Sequence, residues 1–111
     1  MISDKDRPRI VCLCGSTRFK ADFETIEMTE TLKGNIVLTV GVFGHADGIE
    51  LSPGAKVALD ELHLRKIDLA DEVLVINVGG YLGESTRKEI AYARRLEKAI
   101  QYLEPHGGRK E

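Results

Sequence analysis

Glu89 is the carboxylate best placed to do chemistry in this sequence. The segment Asn77-Val-Gly-Gly-Tyr-Leu-Gly-Glu-Ser-Thr-Arg-Lys-Glu89 leaves an apolar run, passes through Gly79, Gly80 and Gly83, and opens a helix-forming stretch. A strand, a permissive loop and a helix N-terminus together build a ligand cleft in α/β proteins. In the first turn of that helix Glu89 would feel the positive end of the dipole and stay ionised. An ionised carboxylate suits attack on an electron-poor sugar carbon, as glycosidic cleavage through an oxocarbenium-like transition state requires. The bland alternative is a capping box, Thr86-x-x-Glu89, with Glu89 bonded back to the backbone. Tyr92 follows three residues later on the same helical face and could orient Glu89.

A second constellation is Gly15-Ser16-Thr17-Arg18, which leads from an apolar strand into a helix. Backbone N–H groups at a helix start bind anions, and an arginine adds a two-pronged contact to phosphate. The alternative is an ordinary turn with a Ser/Thr cap and a solvated arginine. Neither a Walker motif nor a G-x-G-x-x-G dinucleotide fingerprint occurs. Asp71 precedes a strand, where neutralising the helix-to-strand junction competes with a catalytic role. His63 lies mid-helix, where a histidine is more often packed than catalytic. His45 and Asp47 lie in a long loop. A metal site from His45, Asp47, Glu50 and His63 has no recognisable ligand spacing behind it. Cys12 and Cys14 share one face of a strand but are poorly placed to bridge each other. Without a second cysteine pair they read as small buried hydrophobes more readily than as zinc ligands.

The elements that must position these residues alternate. Strands are expected at Arg9 to Cys14, Asn35 to Val40, Glu72 to Asn77 and Lys98 to Leu103. Helices are expected from Phe19 to Lys33, Ala55 to Leu69 and Ser85 to Glu97. Phe19, Phe23, Ile26, Met28 and Leu32 fall roughly at helical spacing, as do Val57, Leu59, Leu62 and Ile67. Gly34 and Asn35 form a C-terminal stop. Gly41 to Gly54 is a long glycine-rich loop of the kind that covers sites. The βαβαβαβ order predicts an α/β fold, a small three-layer αβα parallel sheet of flavodoxin-like or Rossmann-like type, with strand order 2-1-3-4. Its switch point lies between the first and third strands, which brings Gly15–Arg18 and Val78–Ser85 side by side.

Composition bounds the rest. With 111 residues, 42% hydrophobic and 31% charged, the chain reads as a single domain over 1–111 with an ordered core of about 9–103. A net charge of −2 leaves no basic footprint for nucleic acid. No apolar run approaches the ~20 residues of a membrane helix, and Met1 to Pro8 lacks a signal-peptide apolar segment. A cytoplasmic location is the expectation, with Glu104 to Glu111 a fraying tail. Trp is absent and aromatics are 5%, so a substrate base would rest on Phe, Tyr or aliphatic surface.

These residues carry a resemblance. Cys14-Gly-Ser-Thr-Arg18 after an opening strand is similar to the Cys-Gly-Ser-x-Arg start of the 2'-deoxynucleoside 5'-phosphate N-hydrolases. Ala70-Asp71-Glu-Val-Leu-Val, a glycine loop and Glu89-Ile-Ala-Tyr-Ala93 resemble the second half of the wider nucleoside 2-deoxyribosyltransferase superfamily. The resemblance runs from about Ile10 to Leu103. It implies that Glu89 is the nucleophile, that Gly15, Ser16 and Arg18 face a phosphate, and that Ser85 lies near it. It also implies a homodimer or higher homo-oligomer. Two positions depart. His63 stands where the family has a sugar-orienting aspartate, with Asp60 and Asp68 nearby, and Ala91 replaces a glycine.

The expected function is cleavage or transfer of an N-glycosidic bond in a small-molecule nucleotide or nucleoside, needing no metal or redox cofactor. The candidate catalytic set is Glu89, Asp71, His63 and Tyr92. The candidate substrate- or phosphate-binding set is Cys14, Gly15, Ser16, Thr17, Arg18, Gly79, Gly80, Gly83 and Ser85. The alternative is a non-catalytic module that binds a nucleotide or sugar phosphate. A metal-dependent hydrolase is a third.

Overall fold

The computed structural model describes residues 6–106. The expected leaderless start and most of the expected fraying tail fall on residues 1–5 and 107–111, outside that range. Four strands alternate with helices: β1 (Ile10–Gly15), α1 (Lys20–Leu32), β2 (Ile36–Leu38), α2 (Gly44–Asp47), α3 (Pro53–Leu69), β3 (Glu72–Ile76), α4 (Glu84–Arg95) and β4 (Ala99–Tyr102). All pairings are parallel and the order is β2-β1-β3-β4, as expected. None of the described helices is long and apolar enough to cross a membrane.

Pleating splits the core in two. Cys12, Cys14, Val73 and Val75 point to one face and pack with Ile67 and Ala70 at the end of α3 and Ile90 and Ala93 of α4. Val11, Leu13 and Ile76 point to the other face, where Phe23 of α1 covers them. The near-unbroken apolar runs of β1 and β3 follow from this, because a central parallel strand is covered on both sides. Edge strands β2 and β4 are short and half-exposed, which limits edge pairing with other chains.

Helix ends follow local chemistry. Ser52 Oγ accepts from Ala55 N, with Pro53 at the first helical position. That cap starts α3 two residues before the expected Ala55. Gly34, at φ +92°, closes α1 where expected. Helical spacing overestimated the core, however. Leu32 is 81% exposed and Val57 67%, and Met28 and Leu62 are also exposed. The beginning of the tail is held. Asn77 donates through Nδ2 to Glu104 O and accepts from Glu104 N, while Gly79 N donates to the Glu104 carboxylate.

The long loop is folded and not slack. Its α2 turn is tied back by the Lys20–Asp47 ion pair and by His45 N donating to Thr17 Oγ1. Phe43 packs edge-to-face on core Phe23 at 5.3 Å.

Candidate active site

Beyond the carboxyl ends of β1 and β3 lies a cavity of about 540 Å³. Gly15, Ser16, Thr17 and Arg18 form one wall. Gly83, Ser85 and Glu89 of the α4 start form another. Lys56, Asp60 and His63 line it from α3, and Val42, His45 and Leu51 of the long loop cover it. Arg18, distant in sequence, thus faces the same hollow as Ser85 and Glu89.

Glu89 differs from its sequence reading in two ways. Helix α4 begins at Glu84 with Gly83 as the preceding cap, so Thr86 is the third helical residue and is buried. No Thr86–Glu89 capping box forms, and Glu89 belongs to the second turn. The dipole therefore does not dominate its ionisation, since its influence fades beyond the first turn. Burial pushes the Glu89 carboxyl up to about 7, against the opposing pull of His63. At neutral pH it is poised between its two forms.

Beneath Glu89 is a cluster of soft and titratable groups. Cys12 and Cys14 are free and fully buried. His63 is 5% exposed, and its Nε2 lies 3.6 Å from Cys12 Sγ and 3.4 Å from Cys14 Sγ. A hydrogen bond from Cys14, helped by His63, draws the Cys12 thiol below its ordinary range. The same bond to Cys12 and burial push Cys14 far above it. Burial opposes the protonated His63 ring, but Cys12 and Glu89 outweigh it and raise its basicity. The helical histidine is therefore packed, as a mid-helix histidine usually is, and it also lines the cavity.

The lining carries two cations, Arg18 and Lys56, beside the carboxylates of Asp60 and Glu84. Arg18 Nε donates to Ser16 Oγ, and Arg18 Nη2 donates to the Tyr81 hydroxyl at 3.3 Å. Its guanidinium stacks over the Tyr81 ring, 4.3 Å from the centroid. Across the opening, Lys56 Nζ donates to Asp60 and to Ser85 Oγ at 3.2 Å. Ser16 Oγ also accepts from Arg18 N, so part of its capacity goes to capping a short turn.

No protein-family model and no curated protein matches the sequence. Among solved structures, a 2-desoxiribosyltransferase from Leishmania mexicana superposes with a TM-score of 0.63 at 16% identity, over 86% of this chain and 63% of that one. The two proteins share a fold. This chain spans under two thirds of the length of that enzyme.

Several expected residues lie elsewhere. Asp71 is at the opposite, amino end of β3. It accepts from Arg7 Nη1 and Nη2 and from Ile10 N, and the Arg7 guanidinium brings its carboxyl down to about 2. It clasps the strand starts and does not reach the cavity. Tyr92 turns to α3, where its hydroxyl donates to Asp68 and accepts from Arg65. Its three-residue offset from Glu89 does not bring it to that carboxylate. Gly79 and Gly80 adopt positive φ and line a separate shallow hollow with Glu104 and His106. Cys14 does not line the cavity and lies behind it against His63. His45 reaches the cavity, but Asp47 is engaged by Lys20. The metal set His45, Asp47, Glu50 and His63 is not brought together; Cys12, Cys14 and His63 are, among the described residues.

Sequence reasoning missed Lys56 and Tyr81. Lys56, Asp60 and His63 are spaced i, i+4, i+7, one helical stripe, so Lys56 was findable once His63 faced the site. Nothing in the loop sequence marked Tyr81.

Proposed function

We propose that this protein cleaves or transfers the N-glycosidic bond of a nucleotide or nucleoside, with Glu89 as nucleophile. The observation that carries the reading is the placement of Glu89, Ser85 and Arg18 around one cavity of about 540 Å³, with Glu89 not engaged in capping its helix. The ionised fraction of Glu89 attacks the anomeric carbon. A C–O bond forms as the C–N bond breaks, and the electron pair leaves with the base. Water or a second base then attacks the same carbon and releases Glu89. His63 favours the ionised form of Glu89 before the attack and again on its release. Arg18 and Lys56 at the rim favour a phosphorylated substrate. The fold shared with a desoxiribosyltransferase is consistent with this chemistry.

The competing reading is a module that binds a nucleotide or sugar phosphate without turnover. The high proton affinity of Glu89 favours it, because a half-protonated carboxyl is a poorer nucleophile. One experiment separates the two. The protein is incubated with deoxynucleotides, ribonucleotides, the matching nucleosides and NAD, and free base is followed by chromatography. Glycosidic activity predicts base release that falls at least ~1,000-fold in Glu89→Gln and Glu89→Ala while ligand binding persists. Binding with no base release across the panel would leave the module. Unchanged turnover in both variants would remove Glu89 from the mechanism.

A further inference from the structure

The glycosyl chemistry proposed above uses neither cysteine. We propose that Cys12, Cys14 and His63 form a site for a thiophilic divalent cation, zinc foremost, with its fourth coordination position toward Glu89 and the cavity. The inference stands apart from the glycosidase reading and does not depend on it.

Alternation along β1 sends both Sγ atoms to the α3 side of the sheet, and α3 brings Nε2 of His63 onto them. The three atoms lie within 4.8 Å of one another. In a tetrahedral zinc site, Zn–S of about 2.3 Å and Zn–N of about 2.0 Å place sulfur and nitrogen roughly 3.6 Å apart. The observed separations are 3.6 and 3.4 Å, so a cation fits with little rearrangement of the elements. Hydrogen bonds link Cys14 to Cys12 and Cys12 to Leu13 O, but they do not explain the convergence on His63. Both sulfurs converge on one ring nitrogen, which has a single proton or a single lone pair to offer. A cation would satisfy all three groups together.

Ligand chemistry selects the ion. Two soft thiolates and a borderline imidazole prefer zinc to magnesium or calcium. Binding exchanges two S–H bonds for two metal–sulfur bonds and releases two protons to the buffer, with no electron transferred. Two thiolates neutralise a divalent cation, so little net charge is buried. His63 and Glu89 both line the cavity, which supplies the route of entry.

Cobalt(II) reports directly on such a site. The reduced, chelator-stripped protein is titrated with Co²⁺ and then with Zn²⁺. The expected result is saturation at a single equivalent, with thiolate-to-cobalt charge-transfer absorption in the near ultraviolet and tetrahedral d–d bands in the visible. Stoichiometric zinc should abolish both and raise the melting temperature. Cys12→Ser, Cys14→Ser and His63→Ala should each weaken or lose the signal. Glu89→Gln should keep the charge-transfer band and alter only the d–d envelope. Absence of charge transfer in the wild-type protein with titratable free thiols would overturn the proposal, whether or not the buried variants fold. So would a band that persists unchanged in both cysteine variants. Base release assayed on stripped and loaded samples is read separately, so that failure of one inference leaves the other standing.

Discussion

In the proposed reaction the reactivity of Glu89 depends on its proton affinity. Its folded pKa of about 7 exceeds the ordinary 4.5, so the native state binds the proton more tightly than the unfolded chain does. The associated stability is fully present below about pH 4.5 and is lost as pH rises through about 7. A shift of that size corresponds to about 3 kcal/mol. Glu89→Gln lacks this titration. Denaturant unfolding should therefore find the variant close to wild type near pH 5 and more stable by about 1–3 kcal/mol near pH 8. A difference that stays constant with pH would mean that the carboxyl is not held up by burial. The placement of Glu89 one turn further into α4 than Thr86-x-x-Glu89 suggested makes this behaviour possible. In the first turn, backbone N–H groups and the dipole would have kept it acidic.

At the scale of elements, the contact between β1 and β3 shapes the cavity. Gly15 pairs with Ile76, and a Cβ at Gly15 would lie 2.9 Å from Ile76 O and 3.0 Å from Ile76 Cβ. The first glycine of Gly15-Ser-Thr-Arg18 is thus required for close strand packing, whatever it does for a ligand. Gly15→Ala should destabilise by about 1–3 kcal/mol, seen as a lower urea midpoint with an unchanged slope. Wild-type stability in that variant would show that the strands can part at no cost. The covering loop is also structural, since Phe43 is packed on Phe23 and Asp47 on Lys20.

The whole molecule carries a net charge of −2 but presents Arg18 and Lys56 at the cavity mouth. Local cations on an acidic protein steer phosphorylated ligands, and salt screens that attraction. Arg18→Ala with Lys56→Ala should raise KM for a nucleotide roughly 10-fold or more and flatten its salt dependence, with little change for the bare nucleoside. An equal loss on both substrates would place the two cations outside phosphate recognition. At this scale the sequence by itself determined much. Alternating apolar runs and glycine stops dictated a parallel α/β sheet in the order 2-1-3-4, and the switch-point rule then set Gly15–Arg18 beside Val78–Ser85. These follow from periodicity and chain connectivity, which are local properties. Only the tertiary structure decided that Gly83 and not Thr86 opens α4, that Asp71 clasps the far end of the sheet, and that Tyr92 turns to Asp68. Only it brought His63 onto Cys12 and Cys14. Those outcomes depend on which face of a strand meets which turn of a helix, and that register is set by packing between segments about 50 residues apart, beyond the reach of any local pattern.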